Sequence, residues 1–102
     1  MGVMTTEDLP ALTLLLQAYL NIDWLNEYGE PWLAVQGFAT NEPIAIDLSA
    51  EVEGLIAQDG SEEELQHLIV EEMGSGYLPE ADGWTYREWL RELQTRVAEA
   101  CR

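Results

Sequence analysis

The stretch SEEELQHLIVEEMG, residues 61–74, carries the signals of one amphipathic helix. Ser61 and Glu64 have the spacing of a capping box, in which each side chain accepts a hydrogen bond from the backbone N–H of the other residue. The glutamates after Ser61 lie where the helix dipole favours negative charge, and Gly74 is a residue type that commonly ends a helix. The helical spacing predicts a buried face of Leu65, Leu68, Ile69 and Met73.

The same pattern returns at the C-terminus, after a predicted loop at residues 75–83. Thr85 and Glu88 repeat the capping-box spacing, and Glu92 and Arg96 have the i,i+4 spacing of an ion pair on a helix surface. The apolar positions that follow predict a last helix whose inward residues are Trp89, Leu90, Leu93 and Val97.

Three further helices are predicted upstream. The first begins at Pro10 and runs to Asn21, with an apolar face of Leu12, Leu15, Leu16, Tyr19 and Leu20. Residues 23–29 are dense in polar and aromatic residues and predict a turn or a short helical extension. The second helix starts near Pro31, with an apolar side of Trp32, Val35 and Phe38.

The third of these helices extends from Pro43 to about Gln58, with inward residues Leu48, Val52, Leu55 and Ile56. Residues 44–48 are the one segment with the alternation of a strand, and it is short. Five short amphipathic helices in 102 residues predict an all-α, compact single-domain bundle that spans residues 1–102.

The composition is acidic, and the charge is unevenly distributed. The chain has 20 Asp and Glu, four Arg and no Lys, and its net charge is −16. Residues 1–86 hold 17 acidic residues and no Lys or Arg. This excludes binding to nucleic acid or to a membrane surface through basic contacts. Because such self-repulsion destabilises a compact chain, we treat the charge as a functional clue; the alternative is that it serves solubility only.

The remaining sequence features predict a small, soluble, intracellular domain. A single Cys101 cannot form an internal disulfide, the N-terminus lacks the pattern of a signal peptide, and no apolar run, such as residues 14–16, is long enough to span a membrane.

His67 is the one histidine, so any histidine-dependent chemistry would rest on it. Glu63, His67 and Glu71 have i, i+4, i+8 spacing, and Glu64-x-x-His67 matches half of a carboxylate di-metal motif that needs a second histidine. We therefore expect no metal, no cofactor and no enzyme activity. The alternative is a small metal-binding bundle that loses iron or manganese when His67 is changed.

Several aromatic residues lie beside carboxylates, which suits interface anchors that face a basic partner. Trp24, Tyr28 and Trp32 lie near the three acidic residues of the range 23–30. Tyr77 and Trp84 flank Glu80 and Asp82. The alternative is that Trp24 and Trp32 close one end of the core.

An ordered series of residues gives the chain a family resemblance between residues 10 and 95. The series comprises Ala18-Tyr19, Asp23-Trp24, Tyr28-Gly29, Pro31, Ala34-Val35, Phe38, Glu51, Leu55, Glu64-Leu65, Met73-Gly74, Tyr77, Pro79, Asp82-Gly83 and Glu88-Trp89-Leu90. It resembles the small acidic immunity proteins of bacterial contact-dependent growth inhibition systems, although the chain departs from the family pattern at residues 20–22.

The resemblance implies a cytoplasmic protein that binds, in a 1:1 complex, the toxic C-terminal domain of an effector delivered by a neighbouring bacterium. Such toxins are often nucleases, and an acidic surface could occupy the basic site that a nuclease presents to phosphates. The candidate contacts are Asp23, Glu27, Glu30, Glu71, Glu72, Tyr77, Glu80 and Asp82. The alternatives are an acidic mimic of nucleic acid and a helical adaptor that binds some other basic partner.

Overall fold

Six α-helices form most of the computed structural model, which describes residues 5–58 and 60–101. They are α1 (Pro10–Leu14), α2 (Trp24–Tyr28), α3 (Pro31–Asn41), α4 (Leu48–Ala57), α5 (Glu62–Gln66) and α6 (Tyr86–Ala100). Helices α1 and α5 continue directly into π-helical segments, Leu15–Tyr19 and His67–Glu72. Three 3₁₀ segments complete the set, namely Thr6–Asp8, Pro43–Asp47 and Pro79–Asp82. The predicted all-α fold is confirmed.

Both predicted capping boxes are present. The backbone N–H of Ser61 donates to Glu64 Oε1 at 3.1 Å, and the N–H of Glu64 donates to Ser61 Oγ at 3.2 Å. Thr85 and Glu88 form the same pair of bonds, both at 3.1 Å. These bonds satisfy N–H groups that the first turn of a helix leaves without partners, so the local sequence sets where α5 and α6 begin.

The structure differs from the prediction in the N-terminal half. Residues 23–29, predicted as a turn or extension, contain the separate helix α2, which Gly29 divides from α3 with a φ of +80°. The predicted third helix starts as the 3₁₀ segment Pro43–Asp47 before α4, so the strand-like residues 44–48 are helical. A period-two run of five residues is too short to distinguish a strand from a tight helical turn.

Helix α6 packs against α3, α4 and α5 across the core. Phe38 on α3 and Trp89 on α6 are among its largest fully buried side chains. The predicted inward residues of all the helices are buried except Tyr19 and Trp32, which pack against the core while partly exposed. The helical spacing therefore identified the core-facing side of each helix.

Two carboxylates join helices that are distant in sequence. Glu51 on α4 accepts from the backbone N–H groups of Ala11 at 2.9 Å and Leu12 at 3.0 Å, at the N-terminus of α1. Glu62 accepts from the N–H of Tyr86 at 2.6 Å and of Arg87 at 3.1 Å, at the N-terminus of α6. A carboxylate is favourable at a helix N-terminus because it satisfies N–H groups and faces the positive end of the dipole.

Within the described residues, no helix is both long enough and apolar enough to cross a lipid bilayer.

Candidate protein-binding surface

Gly76 brings two of the predicted acidic segments together. Its backbone N–H donates to the carbonyl of Leu20 at 2.7 Å, and its carbonyl accepts from the indole N–H of Trp24 at 3.1 Å. A Cβ at this position would lie 2.3 Å from the carbonyl carbon of Asn21 and 2.5 Å from the nitrogen of Ile22. Residue 76 must therefore be glycine for the two segments to meet. We call residues 21–28 together with residues 71–82 the junction surface.

Tyr77 is part of the core, contrary to the prediction that it lies on a binding surface. Its side chain is 3% exposed and packs between Trp24, with ring centroids 5.4 Å apart, and Trp89, at 5.8 Å. Its hydroxyl donates to Asp82 Oδ2 at 2.7 Å. Burial raises the pKa of the Tyr77 hydroxyl, and the bond to Asp82 raises it further. Tyr77 thus holds Asp82 in place instead of facing solvent.

Glu80 is exposed but has a partner for one of its oxygens. Its Oε1 accepts from the Tyr86 hydroxyl at 2.8 Å and from the Gln66 amide at 3.2 Å. Burial is the main cause of the raised pKa of Tyr86, and the Glu80 carboxylate adds to it. Glu80 therefore ties the 3₁₀ segment Pro79–Asp82 to the start of α6.

The other predicted carboxylates of the junction surface are solvent-exposed. Glu72 lies 3.7 Å from the imidazole of His67. Asp23, Glu27 and Glu71 make no side-chain hydrogen bond or ion pair with any residue in ranges 5–58 and 60–101. Their oxygens are available to a partner's cations.

Glu30 lies at the start of α3, outside residues 21–28. It is exposed and lines a groove with Trp32, Arg96 and Glu99, between the start of α3 and the end of α6. The Arg96 guanidinium lies 4.1 Å above the Trp32 ring, so this groove already contains a cation. Glu30 therefore lies beside a cation of the chain itself, whereas Asp23 and Glu27 have no such neighbour among the hydrogen bonds and ion pairs of the described residues.

Sequence reasoning missed two exposed apolar side chains in the first segment of the junction surface. Ile22 is 87% exposed and Leu25 is 60% exposed. Both look like ordinary core candidates in a sequence that is 47% hydrophobic. The one available signal is their place in the sequence: Ile22 directly precedes Asp23, and Leu25 lies between Asp23 and Glu27.

No group of three or more His, Cys, Asp or Glu side chains is arranged to hold a metal ion in the described part of the chain. His67 is exposed and directed to Glu72, so Glu63 and Glu71 do not form a ligand set with it.

Both the sequence and the fold are similar to those of known proteins. The model of a family described as CdiI immunity protein matches residues 8–97. The fold is similar to a chain in the crystal structure of the CdiA-CT/CdiI complex from Y. kristensenii, with a TM-score of 0.83. The two sequences are 22% identical, and the match covers 95% of this chain and 99% of that one. No curated protein matches the sequence.

Proposed function

The chain belongs to the CdiI immunity protein family, and from this premise we propose that it binds and neutralises the toxic C-terminal domain of a cognate growth-inhibition effector. The family match over residues 8–97 is the observation that carries the proposal. The solved CdiA-CT/CdiI complex, which has the same fold, supports a protein partner. The proposed action is binding, in the cytoplasm and in a 1:1 complex, without catalysis.

We further propose that the toxin is a nuclease and that the acidic surface occludes its active site. A nuclease presents Lys and Arg to phosphates, and residues 1–86 of this chain offer 17 acidic side chains with no Lys or Arg among them. Opposite potentials raise the association rate by about 10- to 1000-fold at low salt. Fast capture is what an inhibitor needs when one toxin molecule can cut many substrates.

The proposed contacts are the accessible carboxylates, not the acidic residues as a whole. Asp23, Glu27 and Glu71 have no partner in the described structure, so a toxin cation would not have to displace one. Glu72, Glu80 and Asp82 each keep one carboxylate oxygen without a partner among the described residues, and Glu30 lines the groove that contains Arg96. Tyr77 contributes through Asp82, because its own side chain is buried.

The test is to co-express the chain with the domain that the reading frame directly upstream encodes, and to purify the pair. We expect a 1:1 complex with a Kd of about 1 nM or lower. The association rate should fall at least about tenfold between low and high salt, because the steering is screened. Absence of binding would contradict the immunity function, while tight binding with no salt effect would contradict acidic occlusion only.

A pair of charge reversals sharpens this test. Glu27→Lys places a cation on the junction surface, whereas Glu7→Lys makes the same change of net charge on the exposed 3₁₀ segment Thr6–Asp8. We expect Glu27→Lys to slow association about tenfold and Glu7→Lys to have little effect. Equal effects would mean that net charge, and not a defined surface, guides the encounter.

A further inference from the structure

We infer that Ile22 and Leu25 form the apolar centre of the surface that contacts the toxin, an assignment that rests on the proposed function. The carboxylates of Asp23, Glu27 and Glu71 would form a charged rim on the same surface. The complementary patch of the toxin is then an apolar depression bordered by Lys or Arg, not a uniformly basic cleft.

Ile22 and Leu25 differ from the other exposed apolar side chains because they lie together in one short segment. Ile22 is 87% exposed and Leu25 is 60% exposed, three positions apart in one short segment. Leu78, 41% exposed, lies in the second segment, two residues after Gly76. Single exposed apolar residues are common, but a concentration with a polar rim is typical of interaction sites.

The segment that carries Ile22 and Leu25 is held by hydrogen bonds on both sides. The Asn21 side chain accepts from the backbone N–H of Asp23 at 2.9 Å and donates to the carbonyl of Ala18 at 3.3 Å. Trp24 and Leu20 bond to the backbone of Gly76 at 3.1 and 2.7 Å. A surface that is already ordered loses little conformational freedom on binding, which favours its use as the centre of an interface.

The charge around this surface indicates the occupant. Two copies of the chain joined here would bring the unpaired carboxylates of Asp23, Glu27 and Glu71 against one another, with no Lys or Arg nearer in sequence than Arg87 to compensate. Like charges pressed together are strongly unfavourable in an interface. A partner with Lys or Arg around an apolar patch would pair with the carboxylates of the rim and bury the apolar side chains of the centre.

Ile46 provides a matched control. It is 73% exposed, between Ile22 and Leu25 in exposure, and it lies on the 3₁₀ segment Pro43–Asp47. It lines two grooves, one with the uncharged residues Ser49 and Ala98 and one that includes a single carboxylate, Glu42. Replacing Ile46 removes the same apolar group from a face that the inference leaves outside the interface.

The experiment measures the Kd and the dissociation rate of the complex with the upstream-encoded toxin domain, for the full chain and three variants. Ile22→Ser and Leu25→Ser should each weaken binding about tenfold, and the double variant at least about 100-fold, mainly through faster dissociation. Ile46→Ser should stay within about threefold of the unchanged chain. All variants should keep their melting temperature, because the replaced side chains are exposed.

The outcomes separate the inference from the function on which it rests. If the unchanged chain binds the toxin and the double variant binds within about threefold of it, the inference is wrong and the immunity function stands. If the unchanged chain does not bind, both fail. If sedimentation shows that the chain forms a dimer that the double variant abolishes, the surface joins two copies and the inference is overturned.

Discussion

The acidic residues of two regions of this chain differ in whether their carboxylates have partners. At the helix junctions, Glu51 and Glu62 each accept two backbone hydrogen bonds and connect helices that are far apart in sequence. On the junction surface, Asp23 and Glu27 are exposed and have no partner among the described residues. The acidic residues behind the net charge of −16 therefore do not all have the same role. Some of them stabilise the fold, and others lie exposed to solvent without a partner among the described residues.

Gly76→Ala should give the largest loss of stability, because it breaks the junction surface without changing any charge. The added Cβ would lie 2.3 Å from backbone atoms of Asn21, which cannot rotate away. We expect the free energy of unfolding to fall by about 3 kcal/mol, measured by urea denaturation.

Gly37→Ala is the matched control for that prediction. Gly37 lies inside α3, and its added Cβ would meet the nearest heavy atoms at 3.7 Å, an ordinary contact. Since alanine favours a helix interior over glycine, stability should rise by up to about 1 kcal/mol. A Gly76→Ala protein as stable as the Gly37→Ala protein would show that the two segments do not meet as described.

Glu51→Ala tests whether a carboxylate at a helix junction stabilises the fold. The change leaves the N–H groups of Ala11 and Leu12 without an acceptor, and both residues are fully buried. We expect a loss of about 2 kcal/mol in urea unfolding. Glu53→Ala, on the same helix, removes an exposed ion pair with Arg91 and an exposed hydrogen bond from Gln94, both at 3.1 Å, and should cost less than about 1 kcal/mol. If both variants lost the same free energy of unfolding, the carboxylate at the helix junction would be no more important for stability than an exposed one.

Glu62→Ala should have a smaller effect than Glu51→Ala, of about 1.5 kcal/mol. Glu62 accepts from Tyr86 and Arg87, but the capping box of Thr85 remains and the bond to Arg87 is exposed. Glu63→Ala is the control, because Glu63 is the exposed neighbour in α5 and its side chain makes no hydrogen bond within the described chain. Thermal unfolding of the two variants should separate them by several degrees.

Local signals in the sequence were sufficient to predict the helices, but not the way they meet. The Ser61–Glu64 and Thr85–Glu88 boxes act over three residues, so their spacing could be recognised directly. Glu51 acts on Ala11, 40 residues away, and nothing in its local sequence distinguishes it from Glu53. The candidate surface follows the same division. Its carboxylates were predicted from composition, whereas the burial of Tyr77 and the exposure of Ile22 depend on which segments Gly76 joins.

The smallest expected effects concern the tyrosines that hold carboxylates beside the junction surface. Tyr77→Phe removes the hydrogen bond to Asp82 and should cost up to about 1 kcal/mol at neutral pH. Tyr28→Phe is the control, since the Tyr28 hydroxyl makes no hydrogen bond among the described residues and its removal should leave stability unchanged.

The tyrosines also predict how stability depends on alkaline pH. Burial raises the folded-state pKa of both Tyr77 and Tyr86 above the unfolded value of about 10, and the bonds to Asp82 and Glu80 raise it further. Above that pH the unfolded chain loses a proton that the folded chain keeps, so the free energy of unfolding falls as pH rises. Below about pH 9 the same groups cause no change. Urea unfolding between about pH 8 and pH 11 should therefore show a decline that is shallower in Tyr77→Phe and in Tyr86→Phe, and shallowest in the double variant. An unchanged slope in the double variant would mean that these hydroxyls titrate as freely as in the unfolded chain, and that Asp82 and Glu80 belong with the accessible carboxylates.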